Sequence, residues 1–218
     1  MISVIVPTLN EAEALKTFPP LQGCELIFVD GGSVDGTLGI ASKLGRVVRS
    51  KRGRGTQMNR GAREASGGAL LFLHADARLE HGALEAAERA AAEGYVGGGF
   101  TPRIEADSFL YRWIERAGAF RARRLGLFYG DAGIFATREA FESVGGFPEI
   151  PICEEFEFCR ALRRLGRVTL LAPACRISPR RWERLGIVRA TLRNWLITAL
   201  FFAGVPPERL SKIYRHVR

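Results

Sequence analysis

Short apolar runs in this chain end, one after another, in carboxylates, glycines and small hydroxyl residues. After Ile2–Val6 come Pro7-Thr8-Leu9-Asn10-Glu11. After Glu25–Val29 come Asp30-Gly31-Gly32-Ser33-Val34-Asp35-Gly36-Thr37. After Ala69–Leu73 come His74-Ala75-Asp76. Asp30 can accept from a nucleobase N–H or a ribose hydroxyl. Gly31 and Gly32 let backbone come close to a flat ligand. Ser33 and Asp35 offer turn and cap bonds, so the same segment also reads as a tight βα turn. Asp76, with diphosphate oxygens and water, suits Mg²⁺ or Mn²⁺, which bind phosphates through few protein ligands. It equally suits a cap for a helix starting near His81.

Three further clusters carry charge. Arg52-Gly53-Arg54-Gly55-Thr56-Gln57-Met58-Asn59 runs from a basic loop into a helix start, where charge, N–H groups and the helix dipole can hold phosphate. It is not a Walker loop, because no Gly-Lys-Ser/Thr occurs. Glu154 and Glu155 open an amphipathic helix; acids are favoured there by the dipole alone, and a general base is the functional alternative. Arg180-Arg181-Trp182 sets two cations beside a large aromatic, fit to clamp phosphate or stack on a sugar, or to form a basic turn around a buried Trp.

These residues need a scaffold that brings strand ends to one rim. Ile2–Val6, Glu25–Val29, Arg46–Arg49 and Ala69–His74 read as buried strands, separated by helix-like Glu11–Phe18, Asp35–Leu44 and Thr56–Ala65, with Asn10, Asp35 and Thr56 as caps. Single helices between strands imply right-handed βαβ units, an α/β fold and a mostly parallel sheet, whose ligands lie beyond the strands' carboxyl ends. Further on, His81–Glu93 and Asp107–Phe120 read as helices and Gly97–Gly99 as a flexible break. Gly133–Ala136 reads as a strand, Glu154–Leu165 as a helix and Val168–Leu171 as the last strand.

The 218 residues suit one domain: a donor half at 1–100, an acceptor half at 101–182 and C-terminal helices at 183–218. Four cysteines without Cys-x-x-Cys spacing or nearby His predict free thiols, which with no secretory signal implies a cytoplasmic protein. Residues 160–218 carry 14 Lys or Arg against Glu183 and Glu208. That tail could face nucleic acid, anionic lipid or a phosphorylated substrate, or serve only solubility. Asn194–Val205 is strongly apolar but too short to span a bilayer, which needs about 20 residues. It reads as a packed helix, or as one that lies on a membrane surface or forms a homodimer.

In this order the segments resemble family 2 glycosyltransferases of the GT-A fold over roughly residues 1–182. Val4 to Glu11 is similar to that family's opening strand and loop, and Val29 to Thr37 to its base-binding segment. Asn59-Arg60-Gly61-Ala62 is similar to the helix after the basic loop. His74-Ala75-Asp76 falls at the Asp-x-Asp motif, Gly145-Gly146-Phe147 with Glu154-Glu155 at the acceptor-site acids, and Arg180-Arg181-Trp182 at the Gln-x-x-Arg-Trp element. Within the family the chain looks similar to the compact arsenosugar-biosynthesis-type, radical-SAM-associated subgroup. The resemblance implies inverting hexosyl transfer from a UDP- or GDP-type sugar to an acceptor hydroxyl; the basic tail and apolar Asn194–Val205 would suit a lipid or small-molecule acceptor and peripheral contact with the inner membrane face. It implies that Pro7, Thr8, Asn10, Glu11, Asp30, Gly31, Ser33, Asp35, Arg54, Gln57, Asn59 and Ala75 hold the donor. Asp76 would take Mn²⁺ or Mg²⁺, Glu155 would act as base with Glu154 beside it, and Arg180, Arg181 and Trp182 would meet phosphate or acceptor. His74 stands where the motif has its first Asp, and Glu155 where an Asp base is usual. Two other classes share parts of this pattern. A sugar nucleotidyltransferase would carry a Gly-rich basic loop where Pro7–Glu11 stands. A basic nucleic-acid or membrane-surface module would draw on the tail, yet no recognisable nucleic-acid motif is present.

Overall fold

The computed structural model describes residues 1–215. Three parallel pairings build its first part. β1 (Ile2–Thr8) lies between β2 (Cys24–Asp30) and β4 (Ala69–Phe72), and β3 (Arg46–Arg49) pairs with β2. Helices α1 (Ala12–Lys16), α2 (Thr37–Leu44) and α3 (Arg54–Glu64) make the crossovers. β1 is buried on both faces, as a central parallel strand must be. Ile2, Val4 and Val6 enter one core layer with Phe28 and Leu71, while Ile5 enters the other with Ile27, Val29 and Phe72. This period of two, through a strand buried on both faces, is why the first run is apolar but for Ser3, whose hydroxyl is satisfied by Glu25 and the Gly67 amide.

The second part departs from pure βαβ order. After β5 (Ala77–Leu79) and α4 (Ala83–Ala92) comes β6 (Gly97–Ile104), then α5 (Phe109–Leu125), β7 (Ile134–Thr137) and α6 (Arg138–Ser143). They are followed by α7 (Glu154–Leu165), β8 (Val168–Ile177), α8 (Arg180–Leu185), α9 (Ile187–Phe202) and α10 (Pro207–Arg215). One eight-stranded sheet results, in the order β3-β2-β1-β4-β7-β6-β8-β5. β4–β7, β6–β7 and β5–β8 are antiparallel, so a parallel block joins a mixed one.

Several sequence expectations need correction. Gly97–Gly99 is not a flexible break but the start of β6, between β7 and β8. A Cβ at Gly98 would overlap the Thr169 carbonyl, and one at Gly99 would lie 2.6 Å from the Phe128 ring, so neighbouring atoms occupy the space that side chains would need. β8 continues to Ile177, because Ala172 and Pro173 bulge out between Leu171, opposite Phe100, and Ala174, opposite Thr101. The helix after Asp76 begins at Ala83 behind Gly82, so Asp76 does not cap it. The caps of α1, α2 and α3 are Glu11, Gly36 and Gly53 rather than Asn10, Asp35 and Thr56. The terminal apolar helix starts at Ile187, well before Asn194.

All four cysteines are free thiols. Among the described residues no helix is long and apolar enough to cross a membrane.

Candidate functional site

The loops after β1 and β2 are laced together by their polar side chains. Asp30 is 3% exposed. One of its oxygens accepts from the Gly32 and Ser33 amides at 2.9 and 3.0 Å, and the other from the Ser33 hydroxyl. Ser33 Oγ accepts in turn from the Asn10 amide, and Asn10 Oδ1 accepts from the Val34 amide. Asn10 sits at φ 54°, a left-handed conformation that its short amide tolerates and these bonds hold. Asp35 accepts from the Thr37 hydroxyl, the Thr37 amide and the Ala12 amide, which keep its carboxylate below the ordinary range. Thr8 lies opposite Asp30 in the β1–β2 register, with half-buried Pro7 beside it. The two loops therefore form one rigid wall beyond the strand ends.

Two residues expected at the donor point elsewhere. Gln57 gives its amide hydrogens to the Thr8 and Val29 carbonyls at 2.9 and 2.7 Å, tying the ends of β1 and β2 from beneath. A Cβ on Gly31 would meet that amide at 3.0 Å, so glycine is needed here for Gln57. Asn59 exchanges two bonds with Phe147, giving to its carbonyl and accepting from its amide, each at 2.8 Å. Gly146, at φ 75°, leaves room for this pair. Both side chains are committed to buried backbone.

Ala75 is buried, and Asp76 lies beyond the end of β4. Arg180 Nη2 reaches Asp76 at 2.9 Å and Glu11 at 3.3 Å, so one guanidinium joins the first loop, the third loop and the start of α8. Arg181, the next residue, turns the other way, over the Tyr214 ring and toward Asp131. Trp182 is buried: its indole N–H gives to Thr191 at 3.2 Å and its ring meets Tyr111 edge-on. It anchors α8 to α9.

The acids of α7 sit deeper. Cys153, at the N-cap, adopts φ 66°, an uncommon conformation for a non-glycine residue that aims the first helical turn inward. Beneath it Phe147 stacks on Phe158 at 4.0 Å, and both meet Phe72, which fixes the loop and helix. Glu154 is 1% exposed and 3.3 Å from Arg54 Nε. That ion pair holds Arg54 more firmly protonated than usual. Glu155 keeps an oxygen with no hydrogen-bond partner among the described residues. Burial, then repulsion from Glu154, pushes its carboxyl up to about 7, against the pull of Arg54. The two neighbouring acids therefore differ: Glu154 is paired with Arg54, and Glu155 is raised.

A carboxylate absent from the sequence-based set completes the site. Asp131 lies in a 3-10 turn, Gly130–Ala132. Burial raises its carboxyl, Arg181 opposes that rise, and the charge of Asp76 adds to it. The signal available was Tyr129-Gly130-Asp131-Ala132-Gly133, an acid bracketed by glycines before an apolar strand. Asp131, Glu155, Arg54, Arg181 and His74 line one end of a cavity of about 130 Å³. Its walls are apolar, from Phe100, Pro102 and Ile104 of β6, Ile114 of α5, and Trp195 and Ile197 of α9.

A divalent cation would find Asp76 at the rim, with Glu11 sharing the same arginine. Among the described residues no group of three His, Cys, Asp or Glu could enclose a metal. The donor set fits a cation shared with a diphosphate and not a protein cage.

A model of the family described as "Glycosyl transferase family 2" matches residues 3–145, which hold the laced loops, Asp76 and Asp131. The chain belongs to glycosyltransferase family 2. A relative from Mycobacterium bovis (strain BCG / Pasteur 1173P2), a "PGL/p-HBAD biosynthesis glycosyltransferase", is 42% identical over 93 residues, 36% of each chain. Two curated relatives are matched over 42% and 36% of their own length, so the chain spans well under half of each. Among solved structures, the mannosyltransferase PcManGT from Pyrobaculum calidifontis, in complex with GDP-Man and Mn²⁺, superposes with TM-score 0.64. It is 19% identical, over 95% of this chain and 66% of that one. TarS 1–349 of S. aureus in complex with UDP gives 0.60 at 19% identity, over 81% and 60%. At such identities these two show the GT-A fold of this chain and nothing finer.

Proposed function

We propose that this glycosyltransferase moves a sugar from a nucleoside-diphosphate donor to an acceptor hydroxyl in one inverting displacement. The observation that carries this reading is Glu155, half-buried with one oxygen fully covered, raised to about 7, and lining the cavity that adjoins the Asp76 rim. A base poised near ambient pH holds a proton or gives it up with little cost, as removal of a hydroxyl proton requires. The acceptor hydroxyl gives its proton to Glu155, its oxygen bonds the anomeric carbon, and the bond to the diphosphate breaks on the opposite face. Glu154 holds Arg54 and leaves Glu155 as the available base.

On the donor side, the wall formed by the first two loops, with Pro7, Thr8, Asp30 and Ser33, takes the nucleoside. Arg180 and Asp76 stand where a diphosphate would follow. Asp76 would hold a Mg²⁺ or Mn²⁺ ion, and such an ion, when bound, neutralises charge on the departing diphosphate. Structures in the same fold class hold UDP, UDP-GlcNAc and GDP-Man, which supports this donor class.

Thermal shift against nucleoside diphosphates and their sugars, with and without Mn²⁺ or Mg²⁺, tests the donor site, because a ligand that binds only the folded state raises its melting temperature. Glu155→Gln should keep that shift and lose transfer. No shift with any nucleotide sugar would remove the donor reading, and an active Glu155→Gln enzyme would remove the base.

A further inference from the structure

Helices α5 and α9 each turn an apolar face outward. On α5 the exposed positions Phe109, Trp113 and Phe120 fall four and then seven residues apart, on one side of the helix, at 80%, 54% and 63% exposure. On α9, Val188, Leu192, Trp195, Leu196 and Phe202 likewise share one side. The Trp113 and Trp195 rings lie 5.3 Å apart and join the two faces. Isolated exposed hydrophobic residues need no explanation, but a strip across two helices does.

The strip carries cations and almost no acid. α5 has five arginines and one glutamate, Glu115, which is committed to Arg112 and the Ile104 amide. α9 has Arg189 and Arg193 and no acid. Arg116, Arg123 and Arg124 are exposed on α5, and Arg184 and Arg189 flank the start of α9, against exposed Asp107 just before α5 and Glu183 beside Arg184. Apolar side chains, tryptophans and arginines on one surface match an anionic lipid headgroup layer with acyl chains beneath it. A nucleic acid would meet the charge and leave the apolar strip bare. Both helices line the cavity, and Trp195 belongs both to the exposed strip and to the cavity wall.

We propose that the α5–α9 face seats this protein on an anionic bilayer, so that the acceptor is a membrane amphiphile whose apolar part enters the cavity beneath Trp195. The acceptor half of this inference rests on the transfer reading above; the docking half does not.

Flotation with vesicles of equimolar phosphatidylglycerol and phosphatidylcholine, against vesicles of phosphatidylcholine alone, separates the parts. The whole chain should float with the first and not with the second. Arg123→Gln with Arg124→Gln should weaken partitioning about 30-fold, from roughly fivefold for each cation near an anionic surface. Leu192→Asp with Leu196→Asp should abolish it. These residues line neither the cavity nor the donor rim, so the thermal shift with a nucleoside diphosphate should be unchanged in both variants. Three outcomes overturn the proposal: no flotation of the wild type with anionic vesicles, equal flotation of both double variants, or a solution dimer dispersed by Leu192→Asp/Leu196→Asp without vesicle binding. Loss of the nucleotide shift in the wild type would instead strike the transfer reading and leave docking standing.

Discussion

Replacing Glu154 with Gln should carry the acid limb of the transfer rate to lower pH. Glu155 stands near 7 because burial raises it, the Glu154 charge raises it further, and Arg54 pulls against both while bound to Glu154. Glutamine at 154 keeps the shape, removes the repulsion and frees Arg54 to turn to Glu155. Both changes favour the Glu155 carboxylate, so its proton should be lost at least about one pH unit lower, on the order of 1.4 kcal/mol. The assay is kcat/KM from about pH 5 to about pH 9, which reports the titration of the free enzyme. Stability gives an independent reading. An acid with a pKa of 4.5 when unfolded and about 7 when folded binds a proton on folding between those values. Its contribution is complete below 4.5 and lost as pH rises toward 7, at most about 1.4 kcal/mol per pH unit and roughly 3 kcal/mol in all. The wild type should therefore lose stability across that window. Glu155→Gln should flatten the loss to the part from Asp131, whose raised carboxyl acts with the same sign. An acid limb unmoved by Glu154→Gln, together with an unchanged slope in Glu155→Gln, would refute this account of the pair.

Other perturbations read different parts of the molecule. Asp76→Ala should lower metal-stimulated kcat/KM by roughly a hundredfold or more, since charge neutralisation at a leaving group is worth several kcal/mol; undiminished turnover would move the cation elsewhere. Asn59→Ala strands the Phe147 amide and carbonyl and should cost about 2–4 kcal/mol in urea unfolding. A loss below half a kcal/mol would mean that the loop reseats. Gly98→Ala forces a methyl onto the Thr169 carbonyl and should cost about 1–3 kcal/mol or prevent folding; a melting temperature equal to wild type would show that β8 yields freely.

The donor half was legible because its signals are local. β1, β2 and β4 are buried on both faces, so apolar runs mark them, and each ends in the polar residues that face the rim. What escaped depends on distant neighbours. Gly97–Gly99 carries no side chain to pattern, and its requirement comes from Phe135, Thr169 and Phe128. Asp131 is one acid in a turn, and its burial is made by elements that precede and follow it. Gln57 and Asn59 fall in the donor set that the resemblance implies, but α3 turns them toward β1 and Phe147. The Ala172–Pro173 bulge ended β8 early in the sequence pattern although its pairing resumes at Ala174.

The bond pair between Asn59 and Phe147 spans 88 residues and has a consequence for the order in which the protein can be made. Strands β1 to β4 leave the ribosome first, with α3 among them. Until Phe147 is synthesised, the Asn59 amide faces the interior with neither of its partners, beside the place that Phe147 and Phe158 will fill. Closing so long a loop is slow on entropic grounds, and the reward arrives only when both ends exist. The half synthesised first is therefore completed late in folding. The contact that seats Asn59 in the donor half also positions the loop leading to Glu154 and Glu155, so the two halves of the site mature together.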